Sequence, residues 1–340
     1  MKGRAFYLPQ LWLGSQYASA LLPKKVLPLS AHLKLTENCQ ARCMSCDYWK
    51  SHWKNEISTE RAIALINEVE ALGISTLRFT GGEPLLRKDF FEILAQSRAR
   101  ECRQIVLQTN GLLLERFHEA INASPITHVH VSIDGMSATN NLIRGTPGYF
   151  EQATRGIKLL RGKKIGLSVT LNELSVKELP QLSQLARELG ATLGFNLLSR
   201  SLFFLAHADL DALWPNAASI PEMEAFVRDQ MKRPSFEVDY IRDYYNQAPL
   251  TEPACVLGYL QLFILSNGDV LTGCYPLPPV GNVLKSSLAE VLSSQAYQRQ
   301  AAAMVRRECP GCTCGIESSL AMQHAVQSGF YELSRLLKKA

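Results

Sequence analysis

The sequence predicts an α/β fold in which six strand–helix repeats precede a smaller C-terminal module. Three observations lead to this prediction. Short runs rich in apolar and β-branched residues alternate with longer helical patterns between residues 33 and 198. The regular order implies parallel strands, because each return to the next strand crosses over through a helix. After about residue 200 the alternation stops, and a different, cysteine-containing module begins near Pro253.

The spacing of hydrophobic residues gives the bounds of each predicted strand and helix. The predicted strands are Leu33–Thr36, Thr76–Thr80, Ile105–Gln108, Val129–Ile133, Ile165–Leu171 and Thr192–Leu198. The predicted helices between them are Ser58–Leu72, Phe90–Arg98, Leu112–Ile121, Tyr149–Leu160 and Val176–Leu189. Polar and glycine-rich residues follow most of the strands. Since sites in such folds gather at the carboxyl ends of the strands, we expect a ligand-facing rim there.

The rest of the chain divides into four further segments. Residues 1–30 precede the predicted barrel segment, 31–200, and residues 201–252 form a connector rich in acids and aromatic rings. That connector is expected to be a solvated link, with contact to a substrate as the alternative. In the module over 253–320, Leu260–Leu265 and Val270–Thr272 flank an Asn-Gly turn and predict a hairpin. Leu288–Val305 is predicted to be helical, as is the tail over 321–340.

Composition narrows the class of protein. Of 340 residues, 46% are apolar and 20% charged, which excludes a disordered or fibrous chain. The net charge of +5 is too small to argue for a nucleic-acid partner. No apolar run reaches the roughly 18 residues of a membrane span, so no transmembrane segment is expected. Closely spaced cysteines in a chain of this size indicate metal binding more than disulfides, and thus a cytoplasmic protein.

Three of the nine cysteines, Cys39, Cys43 and Cys46, lie on the loop after the first predicted strand. Three thiolates so close in sequence can hold one side of a metal centre. A structural zinc site would need a fourth protein ligand. An iron–sulfur cubane held by three cysteines instead keeps one iron open to a small molecule. The spacing favours the cluster, and zinc completed by a distant residue remains the alternative.

The order of the motifs resembles that of the radical S-adenosylmethionine (SAM) superfamily over residues 31–200. The features that carry this resemblance are Cys39-x3-Cys43-x2-Cys46, Gly81-Gly82-Glu83-Pro84, Val131-Ser132-Ile133-Asp134-Gly135 and Arg144-Gly145. The resemblance implies a partial (β/α)6 TIM-like barrel and a [4Fe–4S] cluster on the three cysteines. It also implies reductive cleavage of SAM to a 5′-deoxyadenosyl radical, which abstracts hydrogen from an unactivated C–H bond. A reductant such as flavodoxin or ferredoxin would supply the electron.

The resemblance further implies which residues bind SAM. The backbone of Gly81, Gly82, Glu83 and Pro84 would meet the SAM amino group, with the glycines permitting close approach. The polar atoms of ribose or methionine are expected to meet Thr109, Ser132 and Asp134. Arg144 would pair with the SAM carboxylate. The residue before the third cysteine, often aromatic in this family, is Ser45, so Tyr48 or Trp49 is expected to contact the adenine.

A second group of cysteines lies in the C-terminal module: Cys255, Cys274, Cys309, Cys312 and Cys314. Four thiolates suit either a zinc ribbon-like site or an iron–sulfur cluster. The arrangement resembles the auxiliary-cluster extensions of radical SAM enzymes called SPASM and twitch, which implies one auxiliary [4Fe–4S] cluster with Cys255 and Cys274 as ligands. One of Cys309, Cys312 and Cys314 would then be spare, as a hydrogen donor. Cys102 is expected to be a buried core thiol.

For the substrate, the sequence places a small polar or sugar-like metabolite first, with oxidation, decarboxylation or epimerisation as the reaction. Peptide-modifying enzymes of this plan often carry a peptide-binding domain before the barrel, and only a short segment precedes the first predicted strand here. A maturase of ribosomal peptides or proteins is therefore the first alternative. A zinc or iron–sulfur electron-transfer protein without SAM chemistry is the alternative from another class.

Overall fold

One nine-stranded sheet organises the chain. The computed structural model describes residues 28–50, 55–199, 210–231, 236–247, 257–306 and 308. The strand order is β6-β5-β4-β3-β2-β1-β7-β8-β9. The strands are β1 (Ser30–Thr36), β2 (Thr76–Gly81), β3 (Gln104–Thr109), β4 (His128–Ser132), β5 (Lys164–Leu171), β6 (Thr192–Leu197), β7 (Gln261–Ile264), β8 (Asp269–Leu271) and β9 (Gly281–Asn282). Strands β1 to β6 are parallel and neighbour one another in chain order.

Helices follow the first five strands and continue into the C-terminal part of the chain. They are α1 (Thr59–Ala71), α2 (Phe90–Gln96), α3 (Leu114–Ala123), α4 (Ser137–Ile143), α5 (Tyr149–Leu159), α6 (Leu179–Glu188), α7 (Ser219–Met231), α8 (Phe236–Tyr245), α9 (Leu257–Leu260), α10 (Leu288–Ser293) and α11 (Gln295–Val305). Six parallel strands with intervening helices confirm the predicted partial (β/α)6 barrel, and the C-terminal hairpin and helices confirm the predicted extension.

The two faces of the sheet differ in polarity. Alternate residues, such as Leu33 in β1, Phe79 in β2 and Val131 in β4, are buried in one hydrophobic core together with α1, α2, α3 and α5. The residues between them are mostly polar and point the other way, because successive side chains of a strand point to opposite faces. We call this second surface of β1 to β7 the inner face. A polar inner face is typical of a sheet that surrounds a ligand.

The C-terminal hairpin extends the barrel sheet directly. Strand β7 is parallel to β1, with Ala31 opposite Leu262, and β8 then turns back antiparallel to β7. The turn between β7 and β8 also contacts the segment before α1, since Ile57 N–H donates to Ser266 O over 2.8 Å. The guanidinium of Arg61 donates to Val283 O over 2.8 Å. The hairpin therefore lies beside the loop that follows β1.

The structure departs from the predicted elements in several places, and the short elements α9 and β9 are among those not predicted. Helix α4 was not predicted, because only Asn140 and Ile143 of its seven residues are buried and no hydrophobic period appears. Helices α7 and α8 lie in the segment predicted to be a connector. The predicted helix Leu288–Val305 is two helices, because the Ser294 side chain accepts from Tyr297 N–H and starts α11 anew. In the described residues, none of the helices is apolar for long enough to span a membrane.

Candidate functional site

The cysteine loop, residues 37–47, leaves the carboxyl end of β1 and carries Cys39, Cys43 and Cys46, all half-buried. In the part of the chain that the structure describes, no three Cys, His, Asp or Glu side chains converge closely enough to hold one metal ion. An iron–sulfur cubane takes each thiolate on a different iron, and three half-buried cysteines on one loop are compatible with that arrangement.

An open cleft of about 580 Å³ lies beside this loop. It is lined by Cys39, Gln40, Arg42, Trp49 and Lys50. The Lys50 ammonium lies 5.1 Å and the Arg42 guanidinium 5.9 Å from the centroid of the Trp49 ring. This volume is in the range of small-molecule and cofactor sites. The cleft therefore has room for a nucleoside-sized cofactor next to the first cysteine.

Two cysteines of the loop, Cys39 and Cys43, have a polar neighbour from another part of the barrel. The amide of Asn110, after β3, donates to Cys39 Sγ over 3.7 Å. The Arg144 guanidinium, after α4, lies 3.9 Å from Cys43 Sγ. Donors of this kind stabilise thiolate ligands and orient them. These donors can stabilise the negative charge of an iron–sulfur cluster and of its thiolate ligands.

Without a metal, the three thiols are held protonated by their surroundings. Burial raises the pKa of Cys39 to about 11 and that of Cys46 to about 12. Burial also raises the pKa of Cys43, although the Arg144 guanidinium opposes the shift. Cysteines bind metals as thiolates, so loading of this loop must release protons.

Two glycines clamp the cysteine loop between β2 and α4. Gly81 has φ +143°, and a Cβ there would lie 2.3 Å from Thr36 O, so only glycine allows this approach. Gly145 has φ +59°, and a Cβ there would lie 2.0 Å from Arg42 O. Backbone hydrogen bonds complete the clamp: Gly82 N–H donates to Thr36 O over 2.8 Å, and Arg42 N–H to the carbonyl of Arg144 over 3.2 Å.

The Glu83 carboxylate ties the ends of β2 and β3 together. It is fully buried and accepts from the Thr109 hydroxyl at 2.9 Å, from Asn110 N–H at 2.8 Å and from Leu85 N–H at 3.2 Å. Burial raises its pKa to about 7, against the effect of these hydrogen bonds. Pro84 opens the short 3-10 turn that Glu83 caps. Thr109 was expected to meet SAM, but in the structure its hydroxyl is used by Glu83.

The Asp134 carboxylate forms its contacts inside the protein. Its side chain is 2% exposed and forms an ion pair with Arg144, with Oδ2 and Nη2 2.8 Å apart. Its other oxygen accepts from Thr170 N–H over 2.7 Å. Through these two contacts Asp134 positions Arg144 and β5. Among the described residues, Arg144 Nε and the amide nitrogen of Asn140 are buried donors that have no hydrogen-bond partner.

Two other expected contacts remain on the accessible side of the barrel. Ser132, the last residue of β4, is half-buried on the inner face. Tyr48 lies in the 3-10 turn Tyr48–Lys50 that follows the cysteine loop. The Lys34 ammonium lies 3.4 Å from the centroid of the Tyr48 ring, a cation–π contact that fixes the ring next to Cys46.

The sequence missed Lys34 and Glu37, a buried ion pair at the start of the cysteine loop. Their Nζ and Oε2 atoms are 2.7 Å apart, and the side chains are 2% and 7% exposed. The Ser266 hydroxyl of the C-terminal turn donates to Glu37 over 2.9 Å. Burial lowers the pKa of Lys34 to about 8, although Glu37 opposes the shift. A lysine between two leucines of a predicted strand was the signal that could have revealed this pair.

Of the second cysteine group, the structure describes Cys274 alone. It follows β8, is half-buried and packs against Leu257, Leu260 and Met304. Cys255, Cys309, Cys312 and Cys314 lie outside the described residues, as do residues 1–27 and the predicted tail. Cys102 is 7% exposed and belongs to the main core, which agrees with the expectation for this thiol.

Comparison with known proteins gives the same two-part division of the chain. The radical SAM superfamily matches residues 33–184, and an iron–sulfur cluster-binding domain, SPASM, matches residues 255–314. Fe-coproporphyrin III synthase of Methanosarcina barkeri is 34% identical over 50% of this chain and 45% of its own length. The chain therefore spans about half the length of this relative.

Two relatives match across both parts of the chain. PqqA peptide cyclase of Granulibacter bethesdensis is 26% identical over 79% of this chain and 70% of its own length. The sporulation killing factor maturation protein SkfB of Bacillus subtilis is 26% identical over 90% of this chain and 75% of its own length. The first name describes a peptide cyclase and the second a maturation protein of a sporulation killing factor.

Among solved structures, Streptococcus suis SuiB bound to its precursor peptide SuiA has a similar fold. It superposes with a TM-score of 0.63 and 15% identity, covering 84% of this chain and 69% of its own. The radical SAM domain implies a [4Fe–4S] cluster and SAM as cofactors, and the SPASM domain implies auxiliary iron–sulfur clusters. The chain thus contains a radical SAM domain over residues 33–184 and a SPASM domain over residues 255–314, in the order in which the two cysteine motifs occur.

Proposed function

We propose that this protein is a peptide-modifying radical SAM enzyme. The observation that carries the proposal is that PqqA peptide cyclase and SkfB align with most of this chain, through both the barrel and the SPASM region. These relatives favour a peptide over the small polar or sugar-like metabolite that the sequence alone placed first. The chemistry that the bound cofactors supply is one-electron cleavage of SAM followed by hydrogen abstraction from a C–H bond.

In this proposal, the residues of the chain hold and orient the cofactors. Cys39, Cys43 and Cys46 are the ligands of the SAM-binding cluster, and Asn110 and Arg144 stabilise their charge. The buried Nε donor of Arg144 suits the SAM carboxylate, because its Nη2 is already held by Asp134.

Residues at the rim of the barrel, at the carboxyl ends of the strands, provide the remaining proposed contacts to SAM. The segment Gly81–Glu83 offers its carbonyl oxygens to the SAM amino group, and Ser132 offers its hydroxyl from the inner face. Tyr48, held by Lys34 beside Cys46, contacts the adenine. Cys255 and Cys274, with two of the three C-terminal cysteines, hold one auxiliary cluster.

A tetrapyrrole substrate is the second candidate. It is favoured by the match to Fe-coproporphyrin III synthase, which has higher identity over half of this chain than the peptide-related proteins have over most of it. An AdoMet-dependent heme synthase of Oleidesulfovibrio alaskensis also aligns with most of the chain, with 25% identity over 78% of it. The peptide-related proteins come first because SkfB aligns with 90% of this chain.

The test is anaerobic reconstitution of the full chain with iron and sulfide, followed by reduction in the presence of SAM and a candidate peptide. Short peptides encoded beside the gene are the first candidates. We expect 5′-deoxyadenosine together with a mass change in the peptide, such as the loss of two hydrogens on cyclisation. The Cys43→Ala variant is the control and should form neither product.

Two outcomes would contradict the proposal. Formation of 5′-deoxyadenosine with an unchanged peptide, but with a changed porphyrin, would transfer the function to the second candidate. Zinc in place of iron in the anaerobically purified protein would exclude radical SAM chemistry altogether.

A further inference from the structure

A buried lysine lies next to the cysteine loop. Lys34 stands in β1 between Leu33 and Leu35, and its side chain is 2% exposed. Lysine is almost never fully buried unless it is paired, because the ammonium group loses its hydration. Replacing a buried ion pair by apolar side chains of similar volume is often neutral or stabilising, so stability alone does not require a charge at this position. The groups around Lys34 give a better explanation of its charge.

The Lys34 ammonium is oriented by a carboxylate that the C-terminal hairpin holds in place. Its Nζ lies 2.7 Å from Glu37 Oε2. The other oxygen of this carboxylate, Oε1, accepts from the Ser266 hydroxyl in the turn between β7 and β8 over 2.9 Å. Ser266 is itself fixed to the barrel, because its carbonyl accepts from Ile57 N–H over 2.8 Å. The orientation of Lys34 therefore depends on the hairpin as well as on β1.

The same ammonium acts on the third cysteine of the loop. It lies 3.4 Å from the centroid of the Tyr48 ring, two residues after Cys46. Burial raises the pKa of Cys46 to about 12, whereas a hydrogen bond from the backbone of Tyr48 and the charge of Lys34 act in the opposite direction. Burial lowers the pKa of Lys34 to about 8, so most of it stays charged at pH 7. Lys34 is thus a cation close to Cys46.

Arg144 has a comparable place next to Cys43. Its guanidinium pairs with Asp134 over 2.8 Å and lies 3.9 Å from Cys43 Sγ. Lys34 and Arg144 are both largely withdrawn from water, each is paired with one carboxylate, and each acts on a different cysteine of the loop. Charges interact more strongly where water is scarce. Two such cations at one loop are therefore suited to stabilise added negative charge on it.

An iron–sulfur cluster on this loop would gain that charge when it is reduced. It takes up one electron from a low-potential one-electron donor, which adds one negative charge and breaks no bond of the protein. A nearby cation stabilises the reduced form more than the oxidised form, because the attraction grows with the charge of the cluster. Net charge and hydrogen bonds to the sulfur atoms are among the factors that set the reduction potential of such clusters.

We propose that Lys34 raises the reduction potential of the SAM-binding cluster, with its ammonium oriented by Glu37 and Ser266 so that it stabilises the reduced form from the side of Cys46. Lys34 is a positioning residue in this proposal, since it acts through the cluster. The inference rests on one part of the proposed function, the three cysteines of the loop as ligands, and is independent of the class of substrate. Through Ser266, the C-terminal hairpin then contributes to the chemistry of the barrel.

The test is a potentiometric titration of the reconstituted full-length protein without SAM, followed by electron paramagnetic resonance of the reduced clusters. The signal of the SAM-binding cluster is identified by its loss in Cys43→Ala. We expect Lys34→Met to lower the ratio of reduced to oxidised cluster at a fixed potential at least about tenfold, which equals about 59 mV for one electron. Lys34→Arg should keep most of the wild-type ratio, because the positive charge remains.

Two further variants show whether the effect belongs to Lys34. Lys177→Met is the matched control, because Lys177 also pairs with a glutamate but is 76% exposed, so that water and salt screen its charge. It should keep the wild-type ratio. In Lys34→Met the Glu37 carboxylate stays behind unpaired and lowers the potential by itself. Lys34→Met/Glu37→Gln removes both charges, and we expect its ratio to lie between those of Lys34→Met and wild type.

The outcomes separate this proposal from the assignment of the ligands. A wild-type ratio in Lys34→Met overturns the proposal, and so does a wild-type ratio in the double variant, because the pair then has no net effect. If Lys34→Met does not load iron, Lys34→Gln takes its place, since its amide can still donate to Glu37. If neither loads iron, Lys34 serves cluster binding alone and the proposal fails. If no signal is lost in Cys43→Ala, the ligands assigned under the proposed function are wrong.

Discussion

Asp134 and Arg144 form a buried ion pair that links the carboxyl end of β4 to the cysteine loop. Their charged atoms are 2.8 Å apart, and the side chains are 2% and 13% exposed. The same guanidinium reaches Cys43 Sγ at 3.9 Å. The position of Cys43, a predicted cluster ligand, therefore depends on the position of β4 through this pair. A buried pair also leaves an uncompensated charge when either partner is removed.

Arg144→Met should lower the free energy of unfolding by about 3–5 kcal/mol, because Asp134 then remains as a buried, unpaired charge. The double variant Asp134→Asn/Arg144→Met should lose less than the single one. Urea denaturation of the cluster-free protein measures both. Arg155→Met is the matched control, since Arg155 pairs with Glu115 on the surface, and it should cost about 1 kcal/mol or less. Similar losses at Arg144 and Arg155 would contradict the structural role of the pair.

Glu83 should make stability depend on pH. Burial raises its pKa from 4.5 to about 7, so between these values the folded protein binds more protons than the unfolded chain. The free energy of unfolding should thus fall as pH rises from about 4.5 to 7, by roughly 3 kcal/mol in total. Glu83→Gln should flatten this slope, whereas Glu115→Gln, on the surface, should not. The measurement is denaturation without SAM at several pH values between 4.5 and 7. If the free energy of unfolding has the same pH dependence in wild type and Glu83→Gln, Glu83 is not the group responsible.

The cysteines should divide into functional and structural thiols. Reconstituted wild type should contain about eight irons per chain, enough for two [4Fe–4S] clusters. Replacing Cys39, Cys43 and Cys46 by Ala should remove about half of the iron and abolish 5′-deoxyadenosine formation. Cys274→Ala should lower the iron while leaving the first cluster. Cys102→Ala is the control, because that thiol belongs to the core and should keep the full iron content. About four irons in wild type would rule out the auxiliary cluster.

Arg87 should stabilise the cysteine loop through hydrogen bonds to backbone carbonyls on either side of it. Its guanidinium donates to Leu35 O and to Ile57 O, each over 2.9 Å, and pairs with Asp89 at 2.8 Å. The first carbonyl stands just before the cysteine loop, and the second lies just before α1, at the end of the segment that follows this loop. Arg87→Met leaves both without this donor and should cost about 2 kcal/mol or more.

The measurement is urea denaturation together with the rate of iron loss to a chelator, which should rise in Arg87→Met. Arg98→Met is the comparison, because Arg98 is 60% exposed and pairs with Glu70. If both variants release iron at the wild-type rate, the loop does not depend on Arg87.

The spacing of hydrophobic residues along the chain predicted most of the secondary structure. The exceptions are explained by low burial of a helix and by a side-chain hydrogen bond. The six barrel strands lie where alternating or continuous apolar runs placed them, with ends that shift by up to three residues, as at Ser30 of β1. Helix α4 escaped prediction because it buries little. The break at Ser294 is a side-chain hydrogen bond to the next turn, which hydrophobic periodicity does not register.

The sequence by itself determined the class of fold and indicated which cysteines to propose as ligands, because both depend on spacing along the chain. It did not determine which partner each polar residue takes. Thr109 and Asp134 looked like contacts to SAM, yet they bind Glu83 and Arg144 inside the protein. His32, Arg78 and His128 likewise lie in one row on the same face of the sheet only because strand register aligns their strands. Such pairings follow from how the strands are ordered in the sheet, and local spacing carries no record of that order.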